Sequence, residues 1–108
     1  MKIKTSELSG VALNWAVAHC EELKLSRLSG GEFLLSNGDF WFPSTNWAQG
    51  GPIIEREGIA LGQTGDGWEA TCDGAVYISG QTPLIAAMRC YVMNTLNEEV
   101  EIPEEVSA

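Results

Sequence analysis

Positive charge is scarce in this sequence. Six lysines and arginines face 15 aspartates and glutamates, a formal net charge of -9. Non-specific binding to nucleic acid needs a cationic surface that displaces condensed counterions. The scattered bases supply none, so no nucleic acid is expected as a partner. An anionic membrane surface is disfavoured for the same reason. Histidine is scarcer still, with His19 alone, which leaves no Ser–His–Asp arrangement to argue for. The cysteines, Cys20, Cys72 and Cys90, form no C-x-x-C pair. An odd count without close spacing is not a disulfide framework and reads as reduced, mostly buried thiols of a cytosolic protein. A zinc site at His19–Cys20 would need two further ligands, which no spacing offers, so no metal is expected. No apolar run approaches the roughly 18 residues of a membrane span, and Met1 to Glu7 lacks the apolar stretch of a signal peptide. The chain is expected to stay in the compartment where it is made.

What is present fits one globular domain. The 108 residues are 44% hydrophobic and 19% charged, which argues for a packed core and against disorder. Five of the acids, Glu98, Glu99, Glu101, Glu104 and Glu105, fall in the last 11 residues. Without them ten acids face six bases, a charge of -4, so the body is mildly acidic and the end strongly so. Residues 1–97 read as a single α+β domain and 98–108 as an acidic, flexible tail.

Local signals give the order of elements. Leu13, Ala16, Val17 and Cys20 recur at helical spacing from Ser9 to Leu23, with Ser9 in the N-cap position. Leu23 to Leu28 alternates as a strand does. Glu32 to Leu35 and Phe40 to Phe42 flank Asn37-Gly38, a hairpin signal. Pro52 is expected to open a short helix that Gly58 ends. Ile59 to Leu61 is strand-like, and Gly67 to Cys72 and Ala75 to Ser79 flank Asp73-Gly74 as a second hairpin. Thr82 and Pro83 start a last helix that runs to about Leu96. Hairpin-linked strands between helices predict a small antiparallel sheet with an N-terminal and a C-terminal helix packed on one face.

Two segments stand out chemically. The helix from Pro83 is apolar on all sides apart from Arg89, and such a helix must be covered on all sides. A second subunit is the expected cover, with Met88, Tyr91 and Val92 at the interface. The alternative is the N-terminal helix of the same chain. Arg89 reads either as a salt-bridge partner of Glu55, Glu57 or Glu69, or as an anion clamp. The second segment is Asn46 to Pro52. Gly50 and Gly51 allow close approach to a ligand, and Trp47 offers a face for a flat ring. Equally, Trp47 closes the core beside a tight turn. No G-K-[ST] ends the segment, so it is not a P-loop. Arg56 is the other base near this loop. The candidate ligand-binding residues are therefore Trp47, Gly50, Gly51, Arg56 and Arg89. The acid pairs Asp66 with Glu69 and Glu55 with Glu57 are of a kind common on solvated surfaces, and no catalytic set is assigned.

Trp47-Ala48-Gln49-Gly50-Gly51-Pro52-Ile53-Ile54-Glu55, Gly58-Ile59 and Pro83-Leu84-Ile85-Ala86-Ala87-Met88-Arg89 resemble the NinX-like family of small bacteriophage and prophage proteins. Lys4-Thr5-Ser6-Glu7-Leu8 and Leu13 to Ala18 are similar to it as well. The likeness covers nearly the whole chain and is weakest from Gly62 to Gly80. It implies a phage accessory protein acting in the host cytoplasm, and it transfers no functional residue.

Two functions follow as expectations. The first is binding and sequestering a small nucleotide-like ligand without catalysis or cofactor, in an anti-defence role suggested by analogy alone. The second is an acidic inhibitor or adaptor directed at a basic host protein. Nucleotide hydrolysis stands third, for want of a metal set.

Overall fold

The computed structural model describes residues 1–107. The chain runs β1 (Lys2–Lys4), a 3-10 turn (Thr5–Glu7), α1 (Gly10–Cys20), β2 (Leu25–Arg27), β3 (Phe33–Leu35) and β4 (Phe40–Trp41). It continues through α2 (Trp47–Glu57), β5 (Ala60–Gln63), β6 (Trp68–Thr71), β7 (Ile78–Gly80), α3 (Pro83–Thr95), β8 (Glu99–Glu101) and α4 (Glu104–Ser107). The α+β class and the antiparallel pairing hold. The strands divide among three small sheets, ordered β2-β3-β4, β5-β6-β7 and β1-β8, where one sheet was expected.

The second three-stranded sheet lies against α3. Its register sets Trp68 opposite Gly80 and Ala70 opposite Ile78, so buried Ala70 and Ile78 share the face towards the helix. Gly80 is what allows the approach. A Cβ there would sit 2.5 Å from the Ala86 amide nitrogen, a separation no side chain tolerates. Thr82 caps α3 by accepting the Ile85 N–H at 3.1 Å, and Pro83 opens the helix.

Helix α3 is covered by its own chain. Met88, Tyr91 and Val92 are buried with Leu13, Ala16 and Val17 of α1 in one apolar cluster. The expected subunit interface therefore loses its residues. Short strands and both other long helices suffice to wrap a 13-residue helix when small residues such as Ala86 and Ala87 let them close in.

The expected flexible tail is also corrected. Glu99–Glu101 pairs with Lys2–Lys4, joining the two ends of the chain, and Ile102 is fully buried. Val100 and Val106 are buried as well. The acids alternate with apolar residues, so the glutamates face solvent while Val100 and Ile102 enter the core. Ala108, the last residue of that expected tail, lies outside the described residues.

Helix α2 begins five residues before the expected Pro52. Asn46 is its N-cap and accepts the Ala48 N–H at 3.1 Å. Gln49 ties the first turn to β4, accepting the Phe42 N–H at 2.8 Å and donating to the Phe40 carbonyl at 2.6 Å. These three polar contacts carry a helix through Gly50, Gly51 and Pro52, which propensity alone disfavours. Gly58 ends it with a positive φ of 65°.

Candidate functional site

The five residues singled out by sequence do not assemble into one pocket. Gly50 is inside α2 and packed against neighbours. A Cβ there would lie 2.5 Å from Leu84 Cδ2 and 2.6 Å from the Pro43 carbonyl oxygen. Its smallness serves helix packing, not a ligand. Gly51 follows in the same helix, so the expected free amides around it belong to a helix interior. Trp47 is 54% exposed in the first turn.

Arg56 is engaged by its own chain. Its Nη1 and Nη2 donate to the two Glu21 carboxylate oxygens at 3.0 and 2.6 Å. Its Nε donates to Glu57 at 2.8 Å, and Nη2 also reaches the Tyr91 hydroxyl at 3.2 Å. Tyr91 in turn donates to Glu21. The network ties the end of α1 to α2 and α3. The bidentate guanidinium holds the Glu21 carboxyl below its usual range. Burial, with Glu21 accepting the phenol proton, raises Tyr91. Arg56 is thus a strut rather than a free cation.

Arg89 has a different setting. Its Nε donates to the Leu8 carbonyl at 2.7 Å and its Nη1 to the Ser79 carbonyl at 2.9 Å. None of the expected acids reaches it, and it forms no ion pair among the described residues. Partial burial pulls its pKa down from the usual guanidinium value. The guanidinium borders a surface cavity of about 310 Å³, lined also by Thr64, Asp66, Trp68, Gly80 and Gln81. The tryptophan that lines this cavity with Arg89 is thus Trp68 and not Trp47.

Sequence reasoning missed Trp68, Thr64 and Gln81. A faint signal existed, because Trp68 follows the Asp66-Gly67 turn and so opens a strand near a loop. Its place at the Arg89 cavity depends on β6 pairing with β7 ahead of α3, which spacing does not reveal. Asn14 was missed too. Buried in α1, it accepts the Ser44 N–H at 3.0 Å through Oδ1, and its carbonyl accepts the Trp41 indole N–H at 2.9 Å.

A second depression has an apolar character. A cleft of about 470 Å³ is lined by Val11, Asn14, Glu32, Phe33, Phe40, Trp41 and Phe42, together with Gly30 and Gly31. Phe40 is 50% exposed at its edge. The Arg27 guanidinium lies 5.8 Å from the centroid of the Phe33 ring and donates to the Glu105 carbonyl. His19 stacks on Trp15 with ring centroids 5.2 Å apart. No group of three or more His, Cys, Asp or Glu side chains suited to a metal occurs among the described residues.

Residues 4–95 match the family model described as Bacteriophage P22, NinX. The chain belongs to this phage family. The match runs from the last residue of β1 to the end of α3 and so includes both the Arg89 cavity and the Phe40 cleft. A search of curated proteins finds no match. Among the described residues no helix is long and apolar enough to cross a membrane.

Proposed function

We propose that this phage accessory protein acts in the host cytoplasm by binding and sequestering a small nucleotide-like anion, without catalysis, in the cavity between Arg89 and Trp68. The observation that carries the reading is Arg89 itself. A half-buried guanidinium with no acid paired to it, at the edge of a cavity, supports an anion-binding role, because its donors beyond those held by the Leu8 and Ser79 carbonyls are open to a ligand. Trp68 supplies a ring face and Thr64 and Gln81 supply polar groups at the same cavity. Asp66 on the rim sets a limit, because it disfavours a ligand with charge spread over several phosphates.

Arg89 also holds two backbone carbonyls, so replacing it affects stability as well as binding. Gln81 and Thr64 are exposed and make the cleaner test. Mononucleotides and cyclic dinucleotides should raise the melting temperature of the wild-type chain, since a ligand held only by the folded state stabilises it. Gln81→Ala and Thr64→Ala should keep the unliganded melt and weaken that rise. Arg89→Gln should lower affinity at least tenfold, the loss of about 1.5–3 kcal/mol from a charge-assisted contact. A melt that no nucleotide or phosphate moves removes the reading.

A second reading rests on the aromatic cleft. Half-exposed Phe40 and exposed Phe42 beside an apolar hollow suit an anchor side chain from a host protein, and the chain's acidity suits a basic partner. Phe40→Glu should then abolish capture of a basic host protein and leave any nucleotide-induced rise in melting temperature unchanged. Capture unaffected by the substitution argues against the cleft.

A further inference from the structure

Cys72 and Cys90, which spacing leaves unrelated, are neighbours in space. Cys72 follows the last residue of β6, Cys90 sits in the middle of α3, and their sulfurs are 3.0 Å apart. A disulfide holds its sulfurs at about 2.05 Å, so roughly an ångström of side-chain movement separates contact from bond. The turn after Cys72 is fixed. The Asp73 carboxylate accepts the Ala75 and Val76 N–H groups at 2.8 and 3.0 Å and the Thr71 hydroxyl at 3.2 Å. Those donors hold Asp73 ionised below its usual range. Both sulfurs border a cavity of about 300 Å³ whose other walls include exposed Val76, Asn94 and Asn97, so a small reagent can reach the pair from solvent.

We propose that Cys72 and Cys90 are a reversible redox pair, which a peroxide oxidises to an intramolecular disulfide that pins the β6–β7 hairpin to α3. Cys72 is the more exposed thiol and attacks first. Its sulfur, after losing its proton, displaces one peroxide oxygen from the other. The O–O bond breaks, one oxygen stays on Cys72 as a sulfenic acid, and the other leaves as water. Cys90 then attacks the Cys72 sulfur and gives up its proton. The S–S bond forms, the S–O bond breaks, and the oxygen leaves as a second water. Two thiols lose two electrons and two protons, and the peroxide is reduced to two waters. Two small thiols reverse the step through a mixed disulfide, ending as a small-molecule disulfide. Burial and the adjacent Cys72 push the Cys90 thiol up to about 12, which leaves it protonated and unreactive towards free peroxide, while its 3.0 Å contact with the Cys72 sulfur places it to resolve the sulfenic acid. Cys20 lies in α1, where burial likewise pushes its thiol up to about 12, so it serves as an internal control.

The test oxidises the whole chain with hydrogen peroxide, alkylates the remaining thiols and digests with trypsin. Cleavage after Arg56 and Arg89 leaves Cys72 and Cys90 on separate peptides, 57–89 and 90–108. The expected product is these peptides joined, two hydrogens lighter than their sum, with Cys20 alkylated and with dithiothreitol undoing the link. The disulfide closes a loop between residues 18 apart in sequence and should raise the melting temperature by on the order of 10 °C. Cys72→Ser should show neither link nor rise, and in Cys90→Ser dimedone should trap a sulfenic acid on Cys72. Should Cys90→Ser fail to fold, the wild-type and Cys72→Ser results decide alone. Separate alkylation of both cysteines after oxidation, a link between chains, or a link without change in melting would each overturn the proposal.

Discussion

Helices α2 and α3 carry the two segments that the sequence sets apart, and the fold treats them in opposite ways. In α3 seven of 13 residues are buried, whereas in α2 only Gly50 and Ile53 of 11 are. The apolar helix became the centre of the core, wrapped by its own chain. The glycine-rich segment became a surface helix, capped by Asn46 and tied down by Gln49. The difference teaches that an unusual motif need not be a site. In α2 the oddity is a packing device, and in α3 the lone charge lines a cavity. Glycines 50 and 51 repeat the contrast at smaller scale, one jammed against Leu84 and the other free to accept a Cβ.

The sharpest way to break this comparison is Val92→Asp. Fully buried within one chain, an unpaired carboxylate there should cost about 4 kcal/mol or more and abolish cooperative unfolding. A folded monomer from this variant, seen by sedimentation with a normal melt, would return α3 to a subunit interface.

Next in size is Ile102→Ala, which should cost about 2–4 kcal/mol in chemical denaturation. An unchanged midpoint would restore the flexible tail. Deleting the chain after Glu99 should cost more than this single truncation, because β8 and Val106 go too.

The glycine pair gives a signed contrast. Gly50→Ala should lose about 1–2 kcal/mol, as overpacking outweighs the gain in helix propensity. Gly51→Ala meets Trp47 only at ordinary contact distance, 3.8 Å, and should gain about 0.5–1 kcal/mol. Equal effects at both positions would mean that α2 is not the packed helix described.

Acid titration offers a gentler probe of the strut between helices. The folded-state pKa of Glu21 is depressed by Arg56. Its stabilisation is therefore full above the unfolded carboxylate value and is lost as pH falls through the lower folded value. Glu21→Gln should flatten the fall in melting temperature between roughly pH 5 and pH 2. An identical slope in both proteins would show that the network carries no net stabilisation. The smallest effect is expected at Trp47→Ala, within about 0.5 kcal/mol, because the side chain is exposed.

Much of the fold was legible in the residues. Asn37-Gly38 gave the β3–β4 hairpin, Thr82-Pro83 gave the start of α3, and Leu13, Ala16 and Val17 gave the inner face of α1. These signals are local, acting within a turn or two. The start of α2 was not legible, because its cap and tethers had to overrule two glycines and a proline. The tail was not legible either. Five glutamates outweigh Val100, Ile102 and Val106 in composition, and only pairing with β1 shows which side of each strand residue is buried. At the candidate site, Arg89 was found from its isolation among apolar neighbours. Trp68 was not, since nothing in sequence links it to a residue 21 positions later.

The sequence by itself determined an acidic α+β domain with antiparallel hairpins, a helix that had to be enclosed, one charge on that helix needing an outlet, and kinship with a phage family. Such properties follow from side-chain chemistry and short-range spacing. Tertiary structure decided what enclosed the helix, which tryptophan shared a cavity with Arg89, whether the chain's end was ordered, and that Cys72 and Cys90 touch. Each of those depends on contacts between residues far apart in the chain, and their geometry is set only when the whole core closes.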